Sequence, residues 1–162
     1  MSNAIQIWTC PSHHAAFLCG GWAYVRTIDG QLSGAAGGDR ATSSHRMALA
    51  GLCAALADLP PVKPGAAPGL VTVHTSSAEL AGFAALAPNA APGQGADLWA
   101  QVVKALGGRK LNLIQVSVQP KTPMAFAAAW AETARDKAKA TGAFKAVIPK
   151  TNLAKIAGLP TG

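Results

Sequence analysis

The sequence predicts an α/β domain with a five-stranded mixed sheet, in which three antiparallel strands are followed by parallel additions and helices flank the whole. Three observations predict this. Two alternating segments meet at Asp29-Gly30, a dipeptide that favours tight hairpins. An amphipathic stretch follows from Thr42 to Leu59, TSSHRMALAGLCAALADL, whose Leu49, Leu52, Cys53, Leu56 and Leu59 recur at three- and four-residue steps. The β-branched, apolar GLVTVHT of Gly69 to Thr75 comes after that helix. A right-handed crossover would then place it parallel to its neighbour in the sheet.

Each element has its own signal. Ala4 to Cys10 sets Ile5, Ile7 and Thr9 on one face and Gln6, Trp8 and Cys10 on the other, which reads as a strand covered on both sides. Pro11 to Ala16 reads as a loop. Cys19 to Thr27 is a second strand, with Gly20-Gly21 marking a bulge or a close backbone approach. A third strand spans Gln31 to Ala36. In the helix from Thr42 to Leu59, the hydroxyls of Thr42, Ser43 and Ser44 can cap the first turn, and Pro60-Pro61 ends it. Ala48, Gly51 and Ala55 form a small-residue side. After the fourth strand, Ser76-Ser77 caps a helix from Ala78 to Leu86, and Ala87 to Gly95 is a loop. Asp97 to Leu106 is a helix stopped by Gly107-Gly108. Leu111 to Val118 alternates as a strand, and Pro123 to about Ala140 is an Ala-rich helix with proline in its first turn.

At 162 residues this is one domain, 1–140, with a basic tail, 141–162, that becomes ordered on contact. No run of 18 apolar residues occurs, which predicts no membrane span, and the N-terminal sequence lacks a secretion signal. Three cysteines without CxxC spacing point to reduced thiols in a cytoplasmic protein. The net charge of +7 is uneven, with a balance of −1 over residues 1–103 and +8 over 104–162. Such a concentration attracts polyanions or acidic protein surfaces.

The element order and several short words resemble the type I ribonuclease H family. The resemblance covers about Ile5 to Lys139. Gly20-Gly21-Trp22-Ala23-Tyr24-Val25-Arg26 matches the family's second strand, and His45-Arg46-Met47-Ala48-Leu49 matches the start of its central helix except for an acid. Thr75-Ser76-Ser77, Asp97-Leu98-Trp99 and Ala131-Glu132-Thr133-Ala134-Arg135 match later words in the correct order. By that resemblance the fold is RNase H-like. The family holds two Mg²⁺ ions with four carboxylates, and the corresponding positions here carry Cys10, Ala48, Ser76 and Ala131. The segment Gln119-Pro120-Lys121-Thr122 lacks the family's loop histidine. A thiol, a hydroxyl and two methyl groups do not replace carboxylates around a hard cation. The resemblance with these departures implies a pseudo-ribonuclease H that is not an enzyme, with no cofactor and no metal.

The expected ligand is nucleic acid, an RNA/DNA hybrid or duplex, contacted by His45, Arg46, Lys104, Arg109, Lys110 and Lys121. Arg46 serves equally well as a structural donor to a nearby carbonyl. The alternative is a structural or protein-interaction component of a larger assembly, phage-derived assemblies included, docked through Lys145, Lys150 and Lys155. A third possibility is an enzyme rebuilt around Cys10 and His74. Cys10, His13, His14 and His74 are also conceivable zinc ligands, although their spacing fits no standard pattern and a surface His pair with a buried Cys explains them more simply. Glu79, Asp39 and Asp97 read as caps or surface charges, and the four tryptophans as core.

Overall fold

The computed structural model describes residues 5–14, 16–40, 42–60, 64–65, 69–86 and 96–156. The expected connections over 61–63, 66–68 and 87–95, and the last six residues of the expected tail, lie outside the described residues.

Strands β1 (Ile5–His14), β2 (Cys19–Ile28) and β3 (Gln31–Asp39) form an antiparallel meander. Asp29 and Gly30 both take positive φ, 51° and 82°, in the β2–β3 turn, the conformation that this dipeptide favours. Helix α1 (Ser44–Leu56) crosses back, and β4 (Leu70–Thr75) pairs parallel to β1 from Ile5↔Val71 to Thr9↔Thr75. Helices α2 (Ala78–Leu86) and α3 (Ala96–Leu106) lead to β5 (Lys110–Gln115), which is parallel to β4. Helix α4 (Pro123–Thr141) crosses the opposite face of β1, β2 and β3.

Among the described residues the sheet has six strands, not the five expected, in the order β5-β4-β1-β2-β3-β6. The sixth, β6 (Phe144–Val147), pairs antiparallel to β3, and a short helix α5 (Lys150–Leu153) follows it. Both fall within the stretch expected to be a tail. The physical reason is local. Gly142 takes φ 91° and donates its N–H to Ala138 O, which ends α4 and reverses the chain. Ile148 and Leu153 are then buried, at 1% and 3% exposure, over Gly34 of β3.

Further boundaries differ from expectation: β3 runs to Asp39, not Ala36, because Gly37, Gly38 and Asp39 pair with Trp22, Gly21 and Gly20, and α1 ends at Leu56, ahead of Leu59 and the prolines. β1 runs on through Pro11 to His14, because those residues pair with β2 from Pro11↔Trp22 to His14↔Cys19. Proline is tolerated there because β1 has passed its last residue paired to β4, so only one side needs a partner. β5 stops at Gln115, where its pairing to β4 ends at Thr75.

The sheet separates two cores. On one face α1 buries Leu49, Leu52 and Leu56 against Ile5, Ile7, Val71 and Val73. A methyl added at Gly51 would lie 2.8 Å from Thr9 Oγ1, so the small side of α1 lets the helix sit close to β1. On the other face Ala127, Ala131 and Ala134 of α4 pack on Trp8, Cys10, Ala23, Val25 and Ala36, and Ala138 lies over Gly38. Gly21 answers the close-approach expectation, because a Cβ there would run into the carbonyl of Ala131. Among the described residues no helix is long and apolar enough to cross a membrane.

Candidate functional site

Parallel pairing of β1 and β4 ends at Thr9↔Thr75, so the next residues, Cys10 and Ser76, lie side by side where β4 ends and β1 goes on paired to β2 alone. This is the end at which open α/β sheets place ligands. Cys10 Sγ and Ser76 Oγ lie 3.1 Å apart. Ser77 Oγ accepts from Leu80 N, which starts α2 directly behind them. The first turn of α1 lies over the same end. Ser43 Oγ accepts from Arg46 N, and His13 Nε2 lies 2.9 Å from Thr42 O.

Ala48 of α1 and Ala131 of α4 are both fully buried. The four positions that the resemblance assigns to metal ligands carry one thiol, one hydroxyl and two methyls. Burial pushes the Cys10 thiol above its ordinary range. The Ser76 contact opposes that shift, and the charge of Glu132 adds to it. A thiol held in its protonated form is a poor nucleophile and a poor metal ligand. This set does not fit a divalent, oxygen-seeking cation. Among the described residues, no three His, Cys, Asp or Glu side chains gather to hold a metal.

The four residues considered for zinc have separate surroundings. His74 stacks on Trp8, its β1 neighbour, with centroids 5.1 Å apart and planes 15° apart. Burial lowers its pKa, partly offset by a backbone contact to Ile7, which favours a neutral packing imidazole. His13 ties β1 to the segment before α1, and His14 tilts against Phe17 at 4.8 Å.

The residues expected to contact nucleic acid do not form one surface. Arg46 is in a bidentate pair with Asp97 at the start of α3, at 3.2 and 3.1 Å. His45 sits half-buried beside it. Arg109 is only 9% exposed, and its guanidinium donates to the carbonyls of Leu106 and Pro60. It ties the end of α3 to the segment after α1 and has no free face for a phosphate. Lys110 pairs with Leu70 at the start of β4, whereas Ser76 follows the end of that strand. Six residues of strand separate the two ends, about 17–20 Å. Lys104 lies at the C-terminal end of α3, also exposed, and Lys121 is exposed in the turn before α4 at φ 62°. Lys145 lies on β6, level with Pro11 through Gly37 and Trp22 but three strands away from it. Lys150 and Lys155 are exposed beyond it.

Some roles lay beyond the sequence reading. Arg26 is 5% exposed and donates to Ala55 O and to Asp58, closing the C-terminal end of α1. A lone arginine in an apolar strand was the only signal of this. The Arg46–Asp97 pair spans 51 residues, and no local pattern links its members.

No protein-family model and no curated protein matches the sequence. Solved structures do match the fold. The N-terminal RNase H domain of Rv2228c from Mycobacterium tuberculosis, solved as a fusion with maltose-binding protein, aligns with TM-score 0.65 at 20% identity, covering 86% of this chain and 99% of that one. RNase H1 from Halobacterium salinarum aligns with TM-score 0.59 at 19% identity, over 83% of this chain and 98% of that one. LC9-RNase H1, described as a type 1 RNase H with the type 2 active-site motif, aligns with TM-score 0.62 at 16% identity, over 90% of this chain and 79% of its own. At these identities the likeness is one of architecture: the chain has the RNase H-like fold.

Proposed function

We propose that this domain binds nucleic acid, an RNA/DNA hybrid or duplex, and does not hydrolyse it. The observation that carries the proposal is the Cys10 Sγ–Ser76 Oγ contact of 3.1 Å where the pairing of β1 with β4 ends, a thiol and a hydroxyl with no charge to hold a cation. Arg46 and His45 stand in the first turn of α1, and the positions that the family resemblance gives to metal-binding carboxylates carry Cys10, Ser76, Ala48 and Ala131. Metal-assisted phosphodiester hydrolysis needs carboxylates to fix the ions and the attacking water. The excess of basic residues after residue 103 supports electrostatic attraction to phosphates. Arg109 is left out of the contact set because of its burial. Incubation with a labelled RNA/DNA hybrid and Mg²⁺ or Mn²⁺ should give salt-dependent binding and intact substrate. Cleavage by clean protein that disappears on a single substitution would overturn the proposal.

A second function is favoured by one observation. The segment beyond α4 forms an outer sheet edge with Val147 78% exposed among lysines. In that role the domain docks an assembly partner through Lys145, Lys150 and Lys155. Reversing all three charges should abolish binding to an acidic protein surface.

A further inference from the structure

We propose that β6 is a docking strand that takes an extended acidic segment of a partner protein by β-strand addition. This rests on the docking function above and assigns its mode and the chemistry of its ligand.

The backbone pattern comes first. Ile148 N donates to Gly34 O at 3.0 Å, which makes Ile148 and Gly34 a hydrogen-bonded pair of the antiparallel β3–β6 ladder. Such pairs alternate along the ladder. Ala146, opposite Ala36, and Phe144, opposite Gly38, therefore also face β3 with their backbone groups. Lys145 and Val147, the residues between, turn their N–H and C=O groups outward. Among the described residues the sheet ends at β6, so this ladder edge is open. Two outward residues offer two donors and two acceptors to an incoming strand.

The side chains choose the strand. Lys145 and Val147 project to the α1 side, since Val147 pairs with Ala35, which belongs to that core. An added strand would meet one apolar and one cationic position there. On the other side Lys137 Nζ lies 4.7 Å over the Phe144 ring and adds a second cation. Lys150 and Lys155 follow, and the sequence holds no acid after Asp136. Edge lysines guard sheets against self-pairing. A second copy would bring the same lysines against each other. The same charge that repels a copy attracts a strand carrying carboxylates between apolar residues.

The test uses the full chain, ¹⁵N-labelled, and an acetylated peptide of alternating Glu and Val. A matched peptide N-methylated on alternate residues and an oligothymidylate of similar charge serve as controls. The Glu/Val peptide should bind saturably and shift the Lys145 and Val147 amides, and the N-methylated one should not. Val147→Pro removes one outward donor and no bond to β3, so it is expected to fold. It should weaken peptide binding about fivefold, the worth of one hydrogen bond. Lys145→Glu should weaken it at least as much. If Val147→Pro does not fold, the N-methylated peptide and Lys145→Glu decide. Loss of binding on charge reversal with Val147→Pro and the N-methylated peptide unaffected would overturn strand addition and leave docking by charge. Failure of all these changes to alter binding would overturn both. Oligothymidylate binding at Lys145 and Val147 with no peptide binding would assign the edge to nucleic acid and overturn the proposal.

Discussion

Asp97→Asn should raise the affinity of the chain for nucleic acid. Arg46 Nη1 and Nη2 reach Asp97 Oδ1 and Oδ2 at 3.2 and 3.1 Å, and the two side chains are 39% and 51% exposed. A phosphate offers Arg46 the same two-oxygen geometry, so the carboxylate competes directly with the ligand. Exposed pairs of this kind are weak, and releasing one is worth about two- to fivefold in binding. If the freed guanidinium meets one additional phosphate, the log–log salt dependence should steepen by about 0.9. The hydrogen bond from Arg46 holds the Asp97 carboxyl below its ordinary range. A carboxylate with a depressed folded-state pKa keeps its partner above the unfolded pKa and loses it as pH falls through the folded one. The competition is therefore intact above the ordinary carboxylate range, where the gain in Asp97→Asn should be constant, and the gain should fade as pH falls through the lowered value of Asp97. Fluorescence anisotropy with a labelled hybrid, at several salt concentrations, measures both quantities. Glu79→Gln, which removes an exposed charge on α2, controls for net charge. Equal gains in both variants, or an unchanged salt slope in Asp97→Asn, would show that Arg46 does not contact phosphate.

Arg26→Ala should destabilise the fold by about 2–3 kcal/mol, because its buried guanidinium donates to Ala55 O at 2.6 Å. Asp58→Asn should lose less than about 1 kcal/mol, because that carboxylate is 69% exposed. Urea unfolding checks the order, and equal losses would mean that the ion pair, not the carbonyl contact, holds the end of α1. The Arg26 hydrogen bond lowers the Asp58 pKa, so this smaller contribution is present above the unfolded aspartate pKa and disappears as pH falls through the folded value. Asp58→Asn should flatten that acid limb. Gly21→Ala should lower stability by roughly 1–3 kcal/mol, since the new methyl would meet the backbone of Ala131 and Arg135. Thermal unfolding with no loss would contradict the close packing of α4 on β2.

Legibility in the sequence followed the range of the interactions. The meander, α1 and β4 were readable because hairpin turns, helical spacing and β-branched runs are local. Gly20-Gly21 signalled close approach without naming the partners, Met47 of α1 for Gly20 and, more than 100 residues away, Ala131 of α4 for Gly21. β6 was missed for a specific reason. Phe144, Ala146 and Ile148 alternate as a strand does, but the spaced lysines and the small residues around them read as solvated chain. Its strand character depends on the open edge of β3, which no local pattern displays. The cationic contacts were the least legible. Arg109 and Arg46 look alike in sequence, yet one is buried on carbonyls and the other is paired at the surface.

Ala48 and Ala131 lie in separate cores, on opposite faces of the sheet. Ala131 belongs to the alanine ridge of α4, and its carbonyl lies where a side chain on Gly21 would have to go. Ala48 is fully buried in the α1 core. A carboxylate at either position would enter a solvent-free site, where an unpaired charge costs several kcal/mol unless a cation or a proton neutralises it. A cation is held only when several carboxylates face it together. One or two acids placed here would therefore destabilise the fold before they could hold an ion. The small residues of α1 and the glycine facing α4 each let a helix pack close to the sheet. Acids at both positions would disturb both cores at once.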